Sequence, residues 1–204
     1  MGTLTYHIAN KREQEEAFAL VRQKYQDEGL GGKLSCTWRR LETIVAVRNK
    51  IIVGTVSMAT DNGQGSLPAE YSFPEDDLPA VLAQMREAGH RIVETTCLAA
   101  VRNCSVGMGL GRASLHWHIT KATAYVLAVV GQHHVSTYTK NMLFEPVARP
   151  RWCEDHHTTD YALRLDMSDP DAYWHRLAEK NPRAYSFYQD TTGIEFPTYK
   201  LAIA

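Results

Sequence analysis

The stretch RIVETTCLAAV, residues 91–101, is apolar enough for a buried strand yet carries a carboxylate at Glu94. Strand alternation puts Ile92, Glu94, Thr96 and Leu98 on one face, with Val93, Thr95, Cys97 and Ala99 on the other. A carboxylate buried alone is costly, so it raises its pKa or finds a partner. Glu94 is therefore either a working group or half of a structural pair, with Arg91 or Arg112 as the partner. The same parity sets Cys97 opposite Glu94, so the two cannot act together on a regular strand, and Cys97 reads as a small buried hydrophobe.

Upstream of this strand, LTYHIA predicts a strand and residues 11–27 a helix, with Phe18, Val21 and Tyr25 at helical spacing and Gly29 past its end. ETIVAVR, the dipeptide Asn49-Lys50 and IIVGTVSMAT predict two strands around a tight hairpin. DNGQGSLPAEYSFPE is a long Gly/Pro-rich loop, and a loop of that length is more often functional than idle. EDDLPAVLAQMREAGH predicts a helix that stops at Gly89.

Downstream, VGMGLGR reads as a Gly-rich turn and ASLHWHITKATAYVLAVV as one buried helix ending at Gly131. HHVSTYT is expected as a strand, KNML as a short helical turn, and FEPVARPRW with TTDYALRLDM as a second hairpin. DPDAYWHRLAEKN starts a helix with an aspartate cap. The order β-α-β-β-α-β-α-β-β-β-α, with a short helical turn after the fifth strand, predicts a mixed α/β sheet flanked by helices. It divides into one domain over residues 1–167 and a helical appendage over 168–204 packed on it.

A chain of 204 residues at 44% hydrophobic content is long enough for such a core, and its net charge of −1 gives no footprint for nucleic acid. Charge is uneven, however: Arg102, Arg112, Lys121, Lys140, Arg149 and Arg151 face the single acid Glu145 between residues 102 and 151. That segment suits a phosphate or an acidic partner, or is simply a solvated surface. Cys36, Cys97, Cys104 and Cys153 form no CxxC pair, as expected of reduced thiols in a cytoplasm. MGTLTYHIANK has no apolar signal segment, and ATAYVLAVV is too short to span a bilayer. His116 and His118 diverge on a helix, and the pairs His133–His134 and His156–His157 are adjacent, so no metal site is expected.

In their order, LVRQKYQDEGL, VAVRNKIIVGTVSMATDNGQGSLPAEYSFPED and RIVETTCLAA resemble the bacterial N-acyl amino acid synthases, within the GNAT acyltransferase fold. The matching positions are Tyr25 to Gly29, Gly54 to Ser57, Asp61 to Glu70 and Glu94 to Ala99, over about residues 5–167. The related acyl-homoserine lactone synthases carry E-x-S-R on this strand, where this chain has Thr96 and Cys97 after Glu94. The resemblance implies transfer of a fatty acyl chain from a thioester of acyl carrier protein, or of coenzyme A, to the α-amine of an amino acid. It also implies that the phosphopantetheine arm lies beside the Glu94 strand, with no tightly held cofactor. Coenzyme-A-dependent acetyl transfer and a non-catalytic acyl-binding domain are the alternative readings.

Amide formation needs a neutral amine, and a carboxylate on an apolar strand suits the general base. Thr96, expected on the same face, would orient a water or the acceptor, or is simply a good strand residue. Gly107, Gly109 and Gly111, with Arg112, are expected to cradle the phosphopantetheine phosphate at a helix start, or make simply a tight strand-to-helix turn. Tyr138 would protonate the leaving thiolate or serve as a core aromatic. Arg149 and Arg151 are expected to dock the acidic acyl carrier protein. The GSLPAEYSF loop, with Glu70 and Tyr71, would overhang the acyl or amino-acid pocket.

Overall fold

Asn49 and Lys50 both take positive φ, 53° and 65°. That is the mirror-image turn whose twist matches two antiparallel strands, and it joins β2 (Leu41–Arg48) to β3 (Ile51–Thr60). The structure is a computed structural model and describes residues 2–27, 41–63, 67–74, 77–101, 104–154 and 157–198. Gly29, Cys36 and Arg102 fall outside the described residues.

β1 (Leu4–Ile8) pairs with β2, and β3 pairs with β4 (Ile92–Ala100). β4 runs parallel to β5 (Tyr125–Gly131), and β8 (Thr158–Asp166) closes antiparallel on β5. Two short strands, β6 (Glu145–Pro146) and β7 (Arg151–Cys153), line the far edge of β8. The result is one eight-stranded sheet in the order β1-β2-β3-β4-β5-β8-β6, with β7 also on β8.

Helices cover both faces. Val45 meets Ala17 of α1 (Lys11–Asp27), while Ile92 and Leu127 meet Leu67, Phe73, Leu78 and Leu82 around α2 (Pro68–Ser72) and α3 (Leu78–Glu87). On the opposite face, Ile44, Val56, Met58 and Val93 pack on Val106, Leu110, Ala113 and Trp117 of α4 (Cys104–Thr120). α6 (Pro170–Lys180) and α7 (Pro182–Gln189) add Tyr173, Trp174, Leu177 and Tyr188 to a cluster with Leu115, Val126, Leu163 and Leu165. The chain then crosses to β1, where Tyr6 N–H donates to Gly193 O at 2.7 Å and Glu195 N–H to Tyr6 O at 2.8 Å. This covers an otherwise open strand edge.

Three sequence expectations are corrected. The predicted long helix is α4 followed by β5. The break falls at Ala122, whose φ of 51° fills the left-handed position that glycine usually marks. HHVSTYT lies on a helix, α5 (Gln132–Asn141), not a strand. Its inward residues are Val135 and Tyr138, three apart, and the apparent alternation concealed that helical spacing. The glycines of VGMGLGR do not precede the helix but lie inside α4.

The fourth correction concerns β4 itself. Ser57 faces Thr96, but Thr55 faces Ala99, so three steps on β4 answer two on β3. Cys97 takes a φ of 52° at this bulge. The extra residue reverses the parity: Cys97 and Ala99 join Val21 of α1 on Glu94's face, while Leu98 turns toward α4 beside Val56 and Thr95. The expected separation of Cys97 from Glu94 therefore does not hold.

Candidate active site

β4 and β5 pair at Ile92–Tyr125, Val93–Val126 and Glu94–Leu127. Among the described residues the ladder stops there, although β4 continues to Ala100 and β5 to Gly131. The strands part beyond Glu94, and the bulge at Cys97 bends β4 within the parted segment. A gap at the centre of a sheet exposes main-chain N–H and C=O groups to whatever enters it.

Glu94 stands at the base of this gap, 2% exposed. Its Oε2 accepts a hydrogen bond from Ala69 N–H at 2.7 Å. That amide is in the first turn of α2, where helix N–H groups have no partner within the helix. Pro68 starts α2, and Glu70 Oε2 accepts from Leu67 N–H at 3.2 Å, which fixes the turn. Arg86, in the last turn of α3, grips both acids of the loop. Its Nε donates to Asp61 Oδ2 at 2.7 Å, and Nη2 donates to Glu70 Oε2 at 2.8 Å. Nη2 also reaches Asp61 Oδ1 at 3.0 Å and Nη1 reaches Glu70 Oε1 at 3.0 Å, so each carboxylate is held by two bonds.

Arg86 was not among the residues expected from sequence. The signal for it was two acids, Asp61 and Glu70, in one motif with no assigned base. The loop is also less of an overhang than expected: Leu67, Ala69 and Phe73 are buried, and Tyr71 is exposed at 67%. Thr96 keeps Glu94's face, opposite Ser57, which hydrogen-bonds Thr43 at 3.0 Å between their hydroxyls.

A pocket of about 370 Å³, counting its open mouth, lies on the other face. Val56, Leu98, Leu115, Val126, Met142, Phe144 and Leu165 form its apolar wall. Thr95 and His118, also in the lining, bond to each other at 2.8 Å between Oγ1 and Nε2. Burial first, and the charge of Arg91 second, push His118 down to about 3, so the ring is neutral. Tyr138 lines the pocket from α5 and meets the Phe144 ring edge-on at 5.2 Å. Burial pushes its hydroxyl up to about 12, so it stays protonated.

The remaining sequence candidates scatter. Gly107 and Gly111 are four apart on one side of α4, and a Cβ on either would meet nothing within 4 Å. Gly109 points the other way, where a Cβ would strike Tyr6. Arg112 is buried on Gly109's side, away from the open side of Gly107 and Gly111: it donates to Asp190 and, at 2.8 Å, to Thr192 O, and packs on the Tyr6 and Phe187 rings. It fastens the C-terminal segment instead of completing a phosphate cradle. Lys121 is likewise engaged, by Glu42 at 3.3 Å, so the basic segment is not one continuous surface. Arg149 and Arg151 are exposed, and Arg151 Nη1 donates to Ser72 O at 2.8 Å. Among the described residues no three His, Cys, Asp or Glu side chains group as metal ligands, and no helix is long and apolar enough to cross a membrane.

Solved structures share this architecture. FeeM, an N-acyl amino acid synthase from uncultured soil microbes, superposes with a TM-score of 0.68 at 17% identity, over 85% of this chain and 96% of that one. An agmatine N-acetyltransferase gives 0.61 at 11% identity, over 80% and 99%. BjaI, a coenzyme-A-dependent acyl-homoserine lactone synthase, gives 0.59 at 12% identity, over 98% and 96%. At such identities the likeness is one of fold, the GNAT acyltransferase fold. No curated protein matches the chain significantly. Sequence supplies what the fold cannot: the profile of the N-acyl amino acid synthase FeeM matches residues 16–166, from α1 to the end of β8, and the chain therefore belongs to that family of N-acyltransferases.

Proposed function

We propose that the chain joins a long-chain fatty acyl group, delivered as a thioester of acyl carrier protein, to the α-amine of an amino acid. The observation that carries this reading is the arrangement about the gap, a buried carboxylate on one face and an apolar pocket on the other. The thioester carbonyl would sit between the strands, with the amine approaching from Glu94's side and the acyl chain entering the pocket. The two amides of the phosphopantetheine arm would pair with β4 beyond Glu94 as an added strand does. The open side of Gly107 and Gly111 leaves room for the arm, and the first turn of α4 offers its N–H groups to the phosphate.

In the reaction the amine nitrogen attacks the thioester carbonyl carbon and loses a proton to Glu94 as the C–N bond forms. The C–S bond then breaks, and Tyr138, a protonated phenol in the pocket wall, gives its proton to the departing thiolate. Glu94's proton returns through solvent to the phenolate. Thr96, on Glu94's face, would orient the amine or a water. Arg149, exposed between β6 and β7, would meet the acidic carrier. Each buried CH₂ contributes about 0.8 kcal/mol, so a long chain can hold a donor that coenzyme A would otherwise have to hold through its diphosphate.

The test supplies the purified protein with thioesters of acyl carrier protein and, separately, of coenzyme A, each graded in chain length from acetyl upward, and a mixture of amino acids and simple amines, with products read by mass spectrometry. Long-chain N-acyl amino acids are expected. Acetylated amines alone would assign the site to coenzyme-A-dependent acetyl transfer.

A further inference from the structure

We infer that Leu98 is the residue by which the pocket prefers a long acyl chain to an acetyl group, the donor's chain lying over its side chain at the pocket mouth; this rests on the long-chain donor reading above. Its placement comes from the bulge in β4. Among the described non-glycine residues with positive φ, Cys97 alone lies inside a strand; Asn49, Lys50, Ala122, Leu143 and His157 fall between elements. A side chain is strained in that conformation, and the unpaired step weakens the ladder. What the bulge achieves is an exchange of faces. Regular alternation would put Leu98 on Glu94's face; instead Cys97 and Ala99 are buried there against Val21, while Leu98 joins the pocket wall.

Leu98 is 39% exposed in that wall. The bulge thus buries a cysteine and an alanine and leaves a leucine in water, the reverse of what apolar burial favours. An apolar ligand covering Leu98 would offset that cost. The protein itself leaves the adjoining space open. Gly111 of α4 lines the same pocket, and a Cβ there would meet nothing within 4 Å. β5 does not pair with β4 at Leu98 either, since among the described residues their ladder ends at Glu94–Leu127. The two parts of the donor then divide between strand and side chain. The arm, paired with the β4 main chain, lies in the plane of the sheet, whereas Leu98 points out of that plane into the pocket. An acetyl group ends one carbon past the thioester carbonyl, beside Glu94 and four residues short of Leu98. A long chain runs on through the pocket and reaches it.

Equilibrium binding to the full chain tests this with two non-reacting donor analogues, S-dodecylpantetheine and S-ethylpantetheine. Each buried CH₂ strengthens binding about fourfold, so wild type should hold the dodecyl probe at least about a hundredfold tighter than the ethyl probe. Leu98→Ala removes three apolar carbons that are already part-buried, and should weaken the dodecyl probe about fivefold to twentyfold. The ethyl probe should bind as before. Leu98→Met, which keeps an apolar side chain of similar size, should restore most of the loss. Circular dichroism checks that each variant is folded. A dodecyl probe held by Leu98→Ala as tightly as by wild type overturns the inference while the pocket stands. Equal weakening of both probes makes Leu98 a contact of the arm and also overturns it. Wild type that binds the two probes alike, or neither, removes the long-chain donor reading, and the inference falls with it.

Discussion

On the α1–α3 side of the sheet, Glu94 is held by a chain of directional bonds, from Ala69 N–H through α2 to Glu70, Arg86 and Asp61. One residue away on the same strand, Thr95 faces a pocket whose wall is mostly apolar side chains. The two faces hold their groups by different physics. Hydrogen bonds and paired charges fix a carboxylate in both position and orientation, which proton transfer needs. Apolar packing is non-directional and scales with area, which suits a chain whose length and conformation vary. The largest test of this contrast is Glu94→Gln. The amide keeps the size of the side chain and removes the base, so kcat/KM should fall about 10²–10⁴-fold with little change in Tm. A folded variant with near-normal turnover would break the assignment of chemistry to this face.

Arg86→Ala separates positioning from chemistry on the same side. Removing it leaves Asp61 and Glu70, 6% and 13% exposed, without their shared cation. A partner lost from so buried a network costs about 3 kcal/mol, or roughly 6–12 °C in Tm for a domain of this size. The loop that carries Ala69 N–H should loosen with it, lowering kcat more than it raises the KM for the thioester. Arg86→Lys keeps the charge but not the paired geometry and should recover stability before activity. Loss of stability with kcat unchanged would reduce Arg86 to a structural clamp with no bearing on Glu94.

On the pocket side the corresponding polar group is His118, and its prediction is one of pH. Burial lowers its pKa to about 3, whereas an unfolded histidine titrates near 6.5. The unfolded chain therefore binds the proton first on acidification. The stability associated with neutral His118 is complete above pH 6.5 and is lost as pH falls toward 3. At pH 5 the loss is about 2 kcal/mol. Urea unfolding should show wild type losing that much more than His118→Gln between pH 7 and pH 5. Parallel losses in the two proteins would show that the ring is solvated or already charged.

Much of this organisation was legible in the chain. The hairpin at Asn49-Lys50, the carboxylate on a strand and the ordered motifs are local signals, each carried by a few adjacent residues. The bulge at Cys97 was not legible, because it is set by the register against β3 and no glycine marks the positive φ. The boundary at Ala122 failed for the same reason, an alanine occupying a glycine's conformation. Arg112 misled because its sequence neighbours are glycines while its partners, Asp190 and Thr192, lie some eighty residues on. Arg86 was signalled only indirectly, by two acids of one loop with no assigned base, because its pairing with them exists only once α3 packs against that loop.

The smallest expected effect concerns neither face but the approach to the gap. Arg112 and Lys121 are engaged within the protein, so of the basic segment Lys140, Arg149 and Arg151 are the described residues left for an acidic carrier. Arg149 has no role in either face and is the cleanest probe. Rim charges act mainly on association, and an exposed pair is worth at most about 1 kcal/mol. Arg149→Glu should therefore raise KM for acyl carrier protein a few-fold at low salt and flatten its salt dependence. kcat, and turnover of a small acyl thioester with no carrier attached, should not move. If Arg149→Glu slowed the small thioester as much as the carrier-bound one, the loop would belong to the reacting site, and docking would have to lie elsewhere on the surface.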